Sequence, residues 1–158
     1  METAAPVLPE PLPLRPAGRD DAPALAALWR RAWASANPAV AEVAPLAHWQ
    51  GRVQGEFFGP PCLTLVGELQ GRIAAFLVLD TGAGYLHQLF VDPELQGQGI
   101  GAALVAQVSA LCPAGWSLHV ASGNLGARRF YARCGLQEGA PDRNPVTGRE
   151  RVLCRWQR

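Results

Sequence analysis

The sequence contains no lysine; all 14 of its basic side chains are arginine. That absence removes the lysine of a phosphate-binding loop, the Schiff-base lysine and the kinase phosphate lysine, and whole classes of enzyme chemistry with them. Arginine accompanies abundant alanine, glycine and proline, a bias that genomic base composition also produces, and the exclusion holds whatever its origin. Cysteine is sparse and scattered: Cys62, Cys112, Cys134 and Cys154 stand too far apart for a C-x-x-C metal or redox pair. They read as small apolar core residues of a reduced chain. No apolar run approaches the ~20 residues of a membrane span. The opening METAAPVLPEPLPLRP has neither a basic n-region nor an apolar stretch. These absences lead to the expectation of a cytoplasmic protein, without membrane or metal.

What is present suffices for one core. With 158 residues and 49% hydrophobic content, a single domain over residues 12–158 is expected. Five prolines between Pro6 and Pro16 fix extended backbone and remove ladder donors, so residues 1–11 read as a flexible proline-rich arm. The formal net charge is +1 but unevenly spread: residues 1–112 carry 6 Arg against 10 acids, and residues 113–158 carry 8 Arg against 3. The basic end suits an anionic partner. It has no aromatic-basic motif of the kind nucleic-acid binding uses.

Along the chain, a short strand near Leu14 and Arg15 precedes DDAPALAALWRRAW. There Asp20 or Asp21 is placed to cap a helix, and Leu25, Leu28, Trp29 and Ala32 recur at helical spacing. A weaker helix covers PLAHWQGRV. CLTLVGEL and RIAAFLVLD, joined by Gln70-Gly71, read as a β-hairpin with a two-residue turn, the second strand central. Tyr85 to Val91 alternates, which puts Tyr85, His87, Leu89 and Val91 on one face and Leu86, Gln88 and Phe90 on the other. Ile100, Leu104, Val105, Val108 and Leu111 form an apolar helical stripe that CPAG ends. Trp116 to Val120 is again a strand, so strand, helix and strand imply a parallel crossover. NLGARRFYARCG is a short helix stopped by Gly135. A last strand near ERVLCRW is expected to cover the sheet edge, and APDRNPVTGRERV, hydrophilic and rich in turn residues, reads as a loop.

Between the strand and the helix stands GQGIGA, residues 97–102. A helix that starts at the end of a parallel strand presents free N–H groups and the positive end of its dipole, an anion site that needs no charged side chain. Bare backbone at Gly97, Gly99 and Gly101 would let phosphate oxygens reach those donors, whereas glycines that merely ease helix packing or make the turn are the structural alternative. The segment also satisfies the dinucleotide fingerprint G-x-G-x-x-G/A. Two features exclude that reading: Asp92 to Gln96 intervene between strand and first glycine, and no Asp or Glu occurs between Glu94 and Glu138 to bind a ribose.

Gln96-Gly97-Gln98-Gly99-Ile100-Gly101, preceded by Leu89-Phe90-Val91-Asp92-Pro93, resembles the Q/R-x-x-G-x-G/A signature of the GCN5-related N-acetyltransferases. Asn124, Ala127, Phe130, Tyr131, Gly135 and Leu136 match a second element of that family. The resemblance implies an α/β fold with a mixed, mostly antiparallel central sheet containing one splayed parallel pair and flanked by about four helices. It further implies acetyl-coenzyme A as acyl donor and an amine-bearing small molecule or peptide as acceptor, with the protein a monomer or homodimer. Gln96, Gly97, Gln98, Gly99, Ile100, Gly101 and Ala102 would then hold the diphosphate. Leu89, Phe90 and Val91 would pair with pantetheine, and a backbone N–H near Phe90 or Val91 would steady the oxyanion. Asn124, Ala127, Arg128 and Tyr131 would face the arm and thioester, with Arg128, Arg129 or Arg133 approaching the adenosine phosphates. Tyr131 matches the family's acid, which protonates the departing thiolate; a core aromatic on a helix face is the alternative. His87 is the candidate base, with Tyr85, Glu56 or a water chain in reserve and His119 and His48 behind them. The acceptor pocket is expected between the first helices and the final hairpin, near Trp29, Trp33, Trp49, Phe57 and Phe58. A module that binds coenzyme A as a sensor without turnover is the competing function.

Overall fold

Strand-forming runs rich in Val, Leu, Ile and Phe assemble into one eight-stranded sheet in the computed structural model, which describes residues 12–158. The proline-rich arm expected over residues 1–11 lies outside the described residues. The strands are β1 (Leu14–Pro16), β2 (Cys62–Leu69), β3 (Arg72–Asp80), β4 (Tyr85–Val91), β5 (Trp116–Ala121), β6 (Gln137–Glu138), β7 (Asp142–Arg143) and β8 (Glu150–Trp156). Their order is β1-β2-β3-β4-β5-β8-β6, with β7 also paired to β8. Every pairing is antiparallel except β4 with β5. The helices are α1 (Ala22–Ala36), α2 (Leu46–Glu56), α3 (Ile100–Leu111) and α4 (Leu125–Arg133). None is long and apolar enough to cross a membrane, among the described residues.

Two apolar layers sandwich the sheet. On one face α1 and α2 bury Leu25, Leu28, Trp29, Trp49, Val53 and Phe57 against Val66, Phe76 and Val78. On the other, Ile100, Leu104, Val105 and Val108 of α3 and Tyr131 of α4 meet Leu77, Leu79, Leu86, Leu118 and Val120. The β2–β3 turn has Gln70 and Gly71 both at positive φ (54° and 75°), the geometry of a two-residue hairpin. Gly135 takes the left-handed conformation (φ 91°) after α4.

Four expectations change. The alternation along β4 is broken: Val78 pairs with Gln88 but Leu79 pairs with Leu86, so His87 is an extra, bulged residue. The bulge shifts the period by one, and Leu86 joins Leu89 and Val91 on the α3 face. Tyr85 lies opposite Asp80, whose parity is that of Phe76 and Val78 on the other face. The terminal strand β8 does not close the sheet edge but lies between β5 and the two-residue strands β6 and β7, too short to leave a periodic signal. Asp21 precedes α1 without capping it, because its carboxylate is taken by Arg15 at 2.8 and 2.9 Å and by the Gly18 N–H at 2.8 Å. Leu111 is exposed at the end of the α3 stripe, and Cys112 is buried after it.

Candidate functional site

The parallel strands β4 and β5 pair only at Tyr85 opposite Ser117, where the Ser117 N–H donates to Gly84 O at 2.9 Å. Gly84 (φ 63°) permits this closure, since a Cβ there would stand 2.8 Å from Gly115 O. Beyond that point the strands part, and the edge of β4 that faces β5 has no ladder partner. Register shows which groups line it. The Asp92 N–H donates to Ala74 O across β3, so alternation turns Phe90 toward β3 as well and leaves the amides of Leu89 and Val91 facing the crevice. Of the backbone groups named from sequence for the oxyanion, Val91 faces the crevice and Phe90 faces β3. The Gln96 side chain reaches back to Val91 O at 3.4 Å.

At the open end of the crevice the chain turns through Gly97 (φ 81°) and Gly99 (φ 82°) into α3. Among the described residues, no backbone N–H from Gly97 to Ala102 donates to a protein acceptor; the first helical bond is Ala103 N–H to Gly99 O at 3.0 Å. No side chain caps the helix. A Cβ built on Gly97 or Gly99 meets nothing within 4 Å, so both glycines border open space and are held there by their positive φ rather than by crowding. Gly101 differs. A Cβ there would lie 3.1 Å from Phe130 Cζ, so its missing side chain admits α4 against α3. Ile100 is core and Ala102 is exposed. Gln98 Oε1 is sealed from solvent without a hydrogen-bond partner among the described residues. Six unpaired donors at a helix N-terminus suit an anion with several oxygens, such as a diphosphate.

On α4, Asn124 Oδ1 accepts the Ala127 N–H at 3.1 Å, which makes Asn124 the helix N-cap. Tyr131 is 6% exposed and stacks edge-on to Phe130 at 5.0 Å. Burial, with the nearby Cys134 and Cys154 thiols, pushes its phenol well above the usual range, so it keeps its proton at neutral pH. Arg128 is engaged: it grips Glu138 with two bonds of 2.8 Å and donates to Ser122 O at 2.9 Å. Arg129 and Arg133 are exposed and make no ion pair among the described residues.

At the closed end of the crevice His87 is exposed on its bulge, its ring 4.9 Å from that of Tyr85. Tyr85 Oη and His119 Nδ1 lie 2.7 Å apart, a hydrogen bond that spans the two parallel strands. Sequence reasoning had named these residues singly; the pair was hidden because the bulge that sets the parity of Tyr85 has no local signature. Glu56 pairs with Arg52 at 2.7 Å and His48 stacks on Trp49 on α2, so neither reaches this cluster through those contacts. Trp29, Trp49 and Phe57 are buried core, and Trp33 and Phe58 are half-buried beside them.

The sequence profile of the Acetyltransferase (GNAT) family matches residues 23–136. The chain belongs to the GNAT family. A mycothiol acetyltransferase from Kineococcus radiotolerans is 32% identical over 161 residues, covering 93% of the chain and 50% of the relative. A second from Clavibacter sepedonicus is 33% identical over 97 residues, covering 58% of the chain and 32% of the relative. The chain thus spans half or less of these curated relatives. Among solved structures, a GCN5-related N-acetyltransferase from Rhodopseudomonas palustris superposes with a TM-score of 0.76 at 20% identity, covering 98% of the chain and all of the other. The PaiA N-acetyltransferase from Thermoplasma acidophilum, in complex with coenzyme A, gives 0.71 at 16% identity, covering 91% and 98%. This GNAT chain therefore has the family's fold, a mixed sheet with one parallel pair and four helices.

Proposed function

We propose that the protein transfers the acetyl group of acetyl-coenzyme A to a primary amine, which attacks the thioester directly. The observation that carries this reading is the run of unpaired amides from Gly97 to Ala102 beside a strand whose edge is also free. Those amides would take the diphosphate, with Gly97 and Gly99 giving the oxygens room. Leu89 and Val91 would pair with the amide groups of the pantetheine arm as a further strand would. Coenzyme A supplies an acyl group activated as a thioester. With the Val91 N–H and the Leu89 carbonyl pairing with the arm, the Leu89 N–H, farther from the glycine turn, can donate to the thioester carbonyl oxygen as negative charge develops there. Tyr131, held protonated by burial, is the donor for the thiolate that departs. The acceptor's proton goes to the acid–base groups at the closed end of the crevice, where His87 stands beside the Tyr85–His119 pair. Arg128, already gripped by Glu138, would approach the adenosine phosphates only by exchanging that partner. The Kineococcus and Clavibacter relatives support acetyl transfer as the reaction class, and the Thermoplasma complex supports the donor.

The test is thiol release from acetyl-coenzyme A across a library of amines, with coenzyme A affinity measured by calorimetry. Tyr131→Phe is expected to lower kcat roughly a hundredfold while affinity is retained. Affinity with no transfer to any amine would favour a sensor module, and absence of both would remove the reading.

A further inference from the structure

The Tyr85–His119 hydrogen bond is the one side-chain link between β4 and β5 at the point where they part, among the described residues. Both residues are half-buried, and they lie on the sheet face opposite α3 and α4: Trp116, Leu118 and Val120 of β5 point into the α3 layer, which turns Ser117 and His119 the other way. The groups facing the pair are few. On β4 there is His87; on β3, Asp80 stands opposite Tyr85; on β8, Arg151 stands opposite Ala121 and Arg155 opposite Ser117; on β7, Asp142 holds Arg151 at 2.8 Å. Burial and then Arg151 hold His119 below the ordinary histidine value, against the opposing pull of Asp142, so its ring is neutral near pH 7. Burial raises Tyr85, which keeps its proton. The direction of the bond follows the imidazole tautomer: with the proton on Nε2, Tyr85 O–H donates and Nδ1 accepts, the arrangement a relay requires.

Resting on the acetyl-transfer reading, we propose that Tyr85 and His119 form a proton relay for the acceptor amine. The ammonium N–H bond breaks and its proton bonds to Tyr85 Oη. In concert the original Tyr85 O–H proton moves to His119 Nδ1. The products are a neutral amine and an imidazolium, and no electron is gained or lost. Arg151 disfavours the imidazolium, so the half-buried ring returns its proton to water rather than holding it. Tyr85 touches the acceptor, and His119 acts through Tyr85. His87, exposed and without a hydrogen-bond partner among the described residues, is outside the relay.

The experiment measures kcat/KM by thiol release between pH about 6 and about 10. Acceptors are spermidine, kanamycin, L-methionine and a peptide with free N-terminal alanine; enzymes are wild type, Tyr85→Phe, His119→Gln and His87→Ala. Tyr85→Phe and His119→Gln are expected to lose roughly a hundredfold at pH 7 and to recover toward wild type as pH passes the acceptor's own pKa, where the amine arrives neutral. Coenzyme A affinity is expected to stay within about twofold, well under the tenfold that one lost contact would give. A loss equal at every pH, or a loss confined to His87→Ala, would overturn the relay. If wild type releases no thiol with any of these amines, the acetyl-transfer reading falls and the relay with it. Imidazole 15N spectra of the wild-type protein guard against a folding defect in the variants. His119 is expected as the Nε2–H tautomer, and an Nδ1–H tautomer would also overturn the proposal.

Discussion

Three glycines that look alike in sequence have different tasks at the residue scale. Gly99→Ala places a Cβ in a left-handed conformation, costing about 1–2 kcal/mol, and puts it into open space beside the residues whose amides are free. Loss of one charge-assisted bond is worth about 1.5–3 kcal/mol, so coenzyme A affinity measured by calorimetry is expected to fall roughly tenfold or more. Gly101→Ala instead presses on Phe130 and is expected to lower stability by about 1 kcal/mol with affinity unchanged. Sequence showed the cluster but could not divide it, because the division depends on how close α4 comes to α3. Asn124, named from sequence as facing the arm and thioester, also caps α4 through its Oδ1. Its place before a short helix is a capping signal, and Asn124→Ala is expected to cost about 1 kcal/mol in chemical denaturation.

At the element scale the controlling feature is the bulge in β4. Helices α1 and α3 and the β2–β3 hairpin were legible because Leu25, Leu28, Trp29 and Ala32, or Ile100, Leu104, Val105 and Val108, recur at a fixed period and are buried. Strand β4 defeats that logic: one unpaired residue, His87, inverts the faces before it, and nothing in YLHQLFV marks the slip. Strands β6 and β7, two residues each, exist through pairing with β8 rather than through any pattern of their own. Deleting His87 should leave an unbulged ladder in which Leu86 stays opposite Leu79 and Tyr85 opposite Asp80, so both keep their faces. Stability read by urea denaturation is therefore expected to stay within about 1 kcal/mol of wild type. A loss of about 3 kcal/mol, the scale of removing a buried leucine, would mean that Leu86 had left the core and that His87 is not the extra residue.

At the scale of the whole molecule, one ion pair joins the α1 layer to the strand end from which the glycine turn departs. Asp92, 2% exposed, accepts from Arg31 of α1 at 2.7 Å and from the Glu94 N–H at 3.0 Å, with Arg72 at 3.9 Å. Burial pushes this carboxyl up, but the Glu94 N–H, Arg31 and Arg72 together outweigh it and hold it below the usual range. A depressed carboxylate stabilises the fold fully above its unfolded value of about 3.9, and that stability is lost as pH falls through the lower folded value. Arg31→Ala is therefore expected to cost about 2 kcal/mol at neutral pH, a gap that closes in acid as Asp92 protonates; a gap constant with pH would count against the pair. Behind this anchor, the free amides and the free strand edge form one continuous surface. An amide-resolved NMR titration of the wild-type protein with coenzyme A examines that surface directly. The amides of Gly97 to Ala102 should move together with those of Leu89 and Val91, while that of Phe90, bonded to β3, moves least. Saturating coenzyme A that leaves residues 97–102 unmoved would contradict the diphosphate site on which the proposed function stands.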